Sequence, residues 1–173
     1  ITASGETILL SEPSGRTCDI FRTGALRADV TSGRIASDET VGRVFFNMPT
    51  RGAENTAVSA SGYAAEPSFS CAELYHDEAF SLTISCTTEN AVIRYTTDGS
   101  LPDEESTQYD GAIEISDTTV IRAAAFCDGL LESNDASATY LFTEPHTVPV
   151  VCVAADPDEL LEVLKTTSRE NKP

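Results

Sequence analysis

The sequence predicts an all-β chain whose centre is an antiparallel β-sandwich. Three observations carry this. Across residues 69–145, short runs alternate apolar and polar side chains with a period of two. Asp-Gly pairs at 98–99 and 128–129 punctuate the runs as tight turns do. The runs are short and closely spaced, as in an immunoglobulin-like (Ig-like) sandwich.

The elements follow in chain order. "TILLS" (7–11) leads through the turn signal "EPSG" to "RTCDIFR" (16–22). In the second run Cys18 and Ile20 share one face, and Thr17, Asp19 and Phe21 the other. "GRVFFNMP" (42–49) reads as a third strand. The small, polar stretch 50–68, broken by Gly and Pro, is the best candidate for a linker. "FSLTISC" (80–86) then sets Leu82, Ile84 and Cys86 against Ser81, Thr83 and Ser85. "AVIRYTT" (91–97) pairs Ile93 with Tyr95, and "AIEIS" (112–116) pairs Ile113 with Ile115. "TVIRAAAF" (119–126) is rich in Ala, so bulky rings such as Tyr95 and Phe142 are expected to pack over it. "ASATYLF" (136–142) closes the set with Ala138, Tyr140 and Phe142 inward.

The tail changes character. "TVPVVCVAA" (147–155) reads as an apolar strand with Cys152 as a small core residue. "DPDELLEVLK" (156–165) reads as a helix with Asp156 as N-cap, Pro157 at its first position and Glu159 closing a capping box. A strand followed by a helix is an α/β signature and suggests the first step of another domain. Residues 166–173 contain no apolar side chain and are expected to fray.

Composition narrows the function classes. The 173 residues carry a formal net charge of −17. Residues 61–145 alone hold sixteen acids against two arginines, Arg94 and Arg122. Such a surface repels phosphate backbones, so no nucleic-acid partner is expected. There is no apolar run of the roughly 18 or more residues that a membrane span needs, so no membrane insertion is expected either. The chain opens at Ile1 without an initiator Met and is expected to be part of a longer protein. The cysteines Cys18, Cys71, Cys86, Cys127 and Cys152 are odd in number, and none forms a C-x-x-C pair. Cys86 and Cys127 could face each other across a sandwich. Scattered free thiols fit an intracellular or anaerobic setting better than a disulfide scaffold.

At residues 93–142 a resemblance becomes specific. The order is Tyr95-Thr-x-Asp98-Gly99-Ser-x-Pro102, Tyr109-x-Gly111, Ile113-x-Ile115, Thr118-Thr-x-x-x-Ala123-x-Ala125, Asp128-Gly129 and a closing Tyr140. It resembles the Ig-like module named after the C-terminal domain of chitobiase and β-hexosaminidase. The resemblance implies an accessory sandwich with no catalytic residues. "GETILLSEPSGRTCDIFRTG" with "FFNMPTRGAEN" resembles the second half of a bacterial lamin-tail-like domain, which implies an incomplete second β-sandwich at the N-terminus. "HTVPVVCVAADPDELLE" resembles the entry to the kinase-like domain of spore-coat protein H-type proteins, whose catalytic residues would follow residue 173. Together the resemblances imply four parts: 1–56 partial lamin-tail-like, 57–68 linker, 69–145 Ig-like, and 146–173 the start of a kinase-like domain. They also imply a cell-surface, spore-surface or otherwise extracellular place.

The densest chemistry lies in "DGSLPDEESTQYDG" (98–111), where Asp98, Asp103, Glu104, Glu105 and Asp110 crowd one loop. Calcium wants about six converging oxygens, and the EF-hand spacing is missing. A glycosidase pair needs carboxylates about 5 to 9.5 Å apart across a cleft, which adjacent acids in a solvated turn do not give. A structural reading suffices. Gly99 supplies positive φ, Asp98 bonds to the backbone two residues on, Pro102 stops the strand and Tyr109 returns its ring to the sandwich. His76 beside Asp77 hints at an acid–base pair, but sequence neighbours on a strand face apart, so it reads as an exposed edge residue. No catalytic, cofactor-binding or metal-ligating residue is therefore expected. With no Trp among the aromatics, a carbohydrate platform would rest on Tyr63, Tyr75 or Tyr109. The expected partners are a cell-wall carbohydrate, a surface protein, or a second chain at an open sheet edge in residues 1–56.

Overall fold

The computed structural model describes residues 4–35, 42–55, 59–156, 160–163 and 165. The protein is all-β and Ig-like, with antiparallel strand pairing throughout its sheets. It divides into two units, residues 1–63 with 129–131 and residues 64–128 with 132–173.

In the first unit, β1 (Thr7–Ser11) and β2 (Thr17–Arg22) form a hairpin in which Leu9 faces Ile20 and Leu10 faces Asp19. The connection is closed by the Gly15 N–H donating to the Glu12 carbonyl and by an Arg16–Glu12 ion pair. The alternation in β2 does not bury a face: only Phe21 is half-buried, while Leu9, Leu10 and Ile20 remain 60, 63 and 52% exposed. A two-stranded ribbon has no second layer to cover it. The short strands β3 (Thr31–Gly33) and β4 (Val44–Phe46) pair separately. Here the unit has its core, because Val44, Phe45, Phe46 and Ala60 are buried. Phe45 and Ala60 exchange two backbone hydrogen bonds of 2.8 and 2.9 Å. Tyr63 packs its ring 5.1 Å from Phe45, and the Arg27 guanidinium lies 4.0 Å over the Tyr63 ring.

The second unit is the sandwich. One sheet is β12-β11-β8-β9, formed by Ala136–Tyr140, Thr119–Phe126, Val92–Thr96 and Thr107–Gln108. Facing it are two short pairs, β10 (Ile113–Ile115) with β6 (Phe80–Leu82), and β5 (Ser68–Phe69) with β7 (Ile84–Ser85). The single run expected over 80–86 is thus split at Thr83, where pairing passes from β10 to β5. Thr83 stays satisfied: its N–H donates to the Ser70 hydroxyl and its carbonyl accepts from the Ser70 N–H, both at 2.9 Å.

Leu82, Ile84 and Ile115 meet Ile121, Ala123 and Tyr140 in the sandwich core. Phe69, Phe80, Tyr95, Tyr109 and Phe142 surround them. The alanines of β11 are fully buried at 123 and 125, so the layer alternates small side chains with rings. Tyr140, 1% exposed, donates its hydroxyl to the Cys71 carbonyl at 2.9 Å. Burial pushes that hydroxyl's pKa up to about 12, with the nearby Cys71 adding to the shift.

The strand expected over 147–155 does not form. Val148, Val151 and Val153 are 66, 84 and 75% exposed, and Cys152 is exposed rather than a core residue. The run has strand composition but no partner edge, and Pro149 removes one ladder donor. Residues 160–163 are helical, and the Leu160 N–H donates to the Asp156 carbonyl at 3.0 Å. Pro157, Glu159 and residues 166–173 lie outside the described residues.

Candidate functional site

The acidic loop is held by its own local bonds. Asp98 Oδ1 accepts from the Ser100 N–H at 3.0 Å and from the Ser100 hydroxyl at 2.6 Å. Asp103 Oδ1 accepts from the Ser106 hydroxyl at 2.8 Å and from the Glu105 N–H at 3.0 Å. These bonds stabilise the anions and hold both carboxyls below the usual Asp range. Gly99 has φ near 90° and is buried. A Cβ there would lie 2.7 Å from the Ala155 carbonyl oxygen, so the position needs glycine twice over. The Gly99 carbonyl accepts from Arg122 Nη1 at 2.9 Å, and Arg122 also pairs with Asp135 at 2.8 Å.

The other motif residues serve the frame. Pro102 is buried and Tyr109 packs on the core, its N–H bonded to the Ile93 carbonyl at 2.9 Å. Tyr95 lies in β8 opposite Ala123. Gly129 adopts φ 76° in the turn after β11, and exposed Gly111 precedes β10. Among the described residues, no group of three or more His, Cys, Asp or Glu side chains could hold a metal ion.

Side chains converge elsewhere. Leu74–His76 runs parallel to the chain leaving β12: the Leu141 N–H donates to the Leu74 carbonyl at 2.7 Å, and the His76 N–H to the Leu141 carbonyl at 2.9 Å. This pairing sets Tyr75, His76 and Asp77 against Phe142, Thr143, Glu144 and Pro145. Together they line a cleft of about 420 Å³. The expectation of an exposed His76 is corrected here. The ring is half-buried, stacked on Phe80 with centroids 4.2 Å apart and flanked by Tyr140 at 5.6 Å and Phe142 at 5.8 Å.

His76 Nε2 lies 3.0 Å from the Glu73 carbonyl and 3.9 Å from Cys71 Sγ. A carbonyl can only accept, so Nε2 carries the proton and donates to Glu73. It is then not free to take the thiol proton, and the pair lacks the arrangement of an activated nucleophile. All five cysteines are free. Cys86 instead donates to the Ala65 carbonyl at 3.2 Å, and Cys127 lies 3.7 Å from the Glu89 carbonyl.

Of the three tyrosines named as carbohydrate candidates, Tyr63 is taken up by Phe45 and Arg27, and Tyr109 by the core. Tyr75 lines the cleft, with the His146 ring edge-on at 6.1 Å. Sequence reasoning named Tyr75 but missed the cleft, because its other wall comes from 142–145, far along the chain.

The fold defines an Ig-like all-β module. Residues 73–139 match the family described as the Chitobiase/beta-hexosaminidase C-terminal domain, a non-catalytic accessory domain. The match covers β6 to β11 and all of β12 but Tyr140, and leaves residues 1–72, with β5, and 140–173 outside it. No curated protein matches the chain. Among the described residues, no helix is long and apolar enough to cross a membrane.

Proposed function

We propose that this chain is a non-catalytic accessory module of a larger secreted or surface-associated bacterial protein, one that spaces and positions a downstream kinase-like domain at a cell or spore surface. The observation that carries the reading is the accessory-domain match over residues 73–139, laid on a sandwich whose motif residues hold turns and core. In this reading residues 1–56 are a partial lamin-tail-like domain, 57–68 a linker, 69–145 the accessory sandwich and 146–173 the entry to the kinase-like domain. The exposed apolar ribbon β1–β2 pairs with another chain. The acidic surface keeps the module soluble and away from nucleic acid.

The test is an exchange. An unrelated sandwich of equal length replaces residues 69–145 in the full-length protein, and surface location and phosphoryl transfer are measured. Location and transfer both intact are expected of a spacer, and loss of location with transfer intact would overturn the spacer role in favour of a binding one. The chain by itself should hydrolyse neither an aryl N-acetylglucosaminide nor ATP. Turnover that co-purifies with it and disappears in His76→Ala would overturn the reading.

One observation favours a second role. The cleft beside Tyr75 has an aromatic wall and a polar rim, as small-ligand sites do, which supports binding of cell-wall carbohydrate by the same module.

A further inference from the structure

We infer that the cleft between Tyr75–Asp77 and Phe142–Pro145 is a binding site for a saccharide carrying a protonated amino group, such as a de-N-acetylated hexosamine unit. The inference rests on the carbohydrate-binding reading above and names its ligand chemistry.

Four features point to it. The volume of about 420 Å³ falls within the ordinary range for small-ligand clefts. Tyr75 and Phe142 supply ring surface to the lining, against which the C–H face of a sugar packs. Asp77 and Glu144 are exposed at the cleft, and neither carries a hydrogen bond or ion pair among the described residues. The cleft therefore presents two uncommitted carboxylates, and no Lys or Arg side chain lines it.

Charge selects among the sugars. An anionic glycan would be repelled by Asp77 and Glu144. A neutral glycan would give the carboxylates hydroxyl donors only. An ammonium group on a sugar ring gives them a charge-assisted bond and, near Tyr75, a cation–π contact. Rings and acids stand on both facing segments, so a saccharide can set its C–H face on a ring while its ammonium group meets a carboxylate.

The experiment is calorimetric titration of the whole chain with four short probes: glucosamine tetramer, N-acetylglucosamine tetramer, cellotetraose and tetralysine. Tighter binding of the glucosamine tetramer than of the other three is expected. Tyr75→Ala and the double variant Asp77→Asn/Glu144→Gln should each weaken it about ten-fold or more. General attraction between a −17 chain and a cation is controlled by Glu104→Gln/Glu105→Gln, which removes the same charge from the acidic loop and should leave affinity unchanged.

Equal weakening by the control pair would overturn the site. Equal binding of tetralysine would overturn the saccharide and make a protein side chain the ligand. Preference for the acetylated or neutral tetramer would overturn the amino-group inference while leaving carbohydrate binding standing. No binding of any probe would overturn both.

Discussion

The hairpin β1–β2 and the sandwich core use similar residues to opposite effect. Leu9 and Ile20 face each other across a regular ladder and stay more than half exposed. Leu82 sits in β6, a shorter strand than either of the hairpin's, yet it is 0% exposed, as is Ile121 in β11. The difference is the second layer. Alternation makes one face of a strand apolar, but burial needs a facing sheet, which β6, β7 and β10 supply in the sandwich. Apolar side chains in the hairpin therefore contribute little to stability, and the same side chains in the sandwich dominate it.

The sharpest way to break this contrast is paired truncation. Leu82→Ala should destabilise by ~3 kcal/mol in urea unfolding, as buried leucines do. Leu9→Ala should stay within about 0.5 kcal/mol. Equal costs at the two sites would mean that the ribbon is covered in solution by something that buries it.

Next in size is Gly99→Ala. Positive φ and the close Ala155 carbonyl together should cost about 2 kcal/mol, read from the shift in urea midpoint. Gly15, with φ 88° in the hairpin turn but nothing within 4 Å of its would-be Cβ, should cost about half as much, by the same measurement.

Tyr140→Phe removes a hydroxyl and its bond to the Cys71 carbonyl, for a loss of about 1 kcal/mol at neutral pH. The variant also tests the raised pKa. The folded state favours the neutral phenol, so this contribution is complete below the unfolded value near 10 and is lost as pH rises toward about 12. A pH series of unfolding curves should show an alkaline decline that is shallower in Tyr140→Phe.

The smallest effect is expected at Ser100→Ala. Asp98 titrates below its ordinary value in the folded state, so its contribution exists above about pH 4 and fades as pH falls through the lower, folded value. The gap between wild type and variant should therefore close in acid. A gap that widened there would remove Ser100 as the cause of the shift.

Much of the sandwich is legible because each strand carries its own signal. Leu82 and Ile84, Ile113 and Ile115, and Ile121, Ala123 and Ala125 alternate within a few residues of one another, and Asp98-Gly99 marks a turn by local chemistry alone. The unformed strand at 147–155 shows the limit. Val150, Val151 and Val153 state a preference, but the sequence does not say whether an edge is available to pair with. The cleft fails for a related reason. Its walls are joined by bonds between Leu74, His76 and Leu141, and nothing near either segment announces the other. A strand-edge reading of His76 overlooks Phe80, Tyr140 and Phe142, which flank it from two other segments.

Tyr140 has a consequence for how the protein is made. Among the described residues it is the largest of the fully buried side chains, and it lies in β12, the last strand of the sandwich. Synthesis runs from the N-terminus, so β5 to β11 emerge before the residue that fills the space between their sheets. A nascent or clipped chain that stops short of Tyr140 holds nearly all of the sandwich sequence and still has a hole at its centre. Closure of the core therefore waits for the last strand of the sandwich, and a chain cut before Tyr140 lacks the ring that fills it.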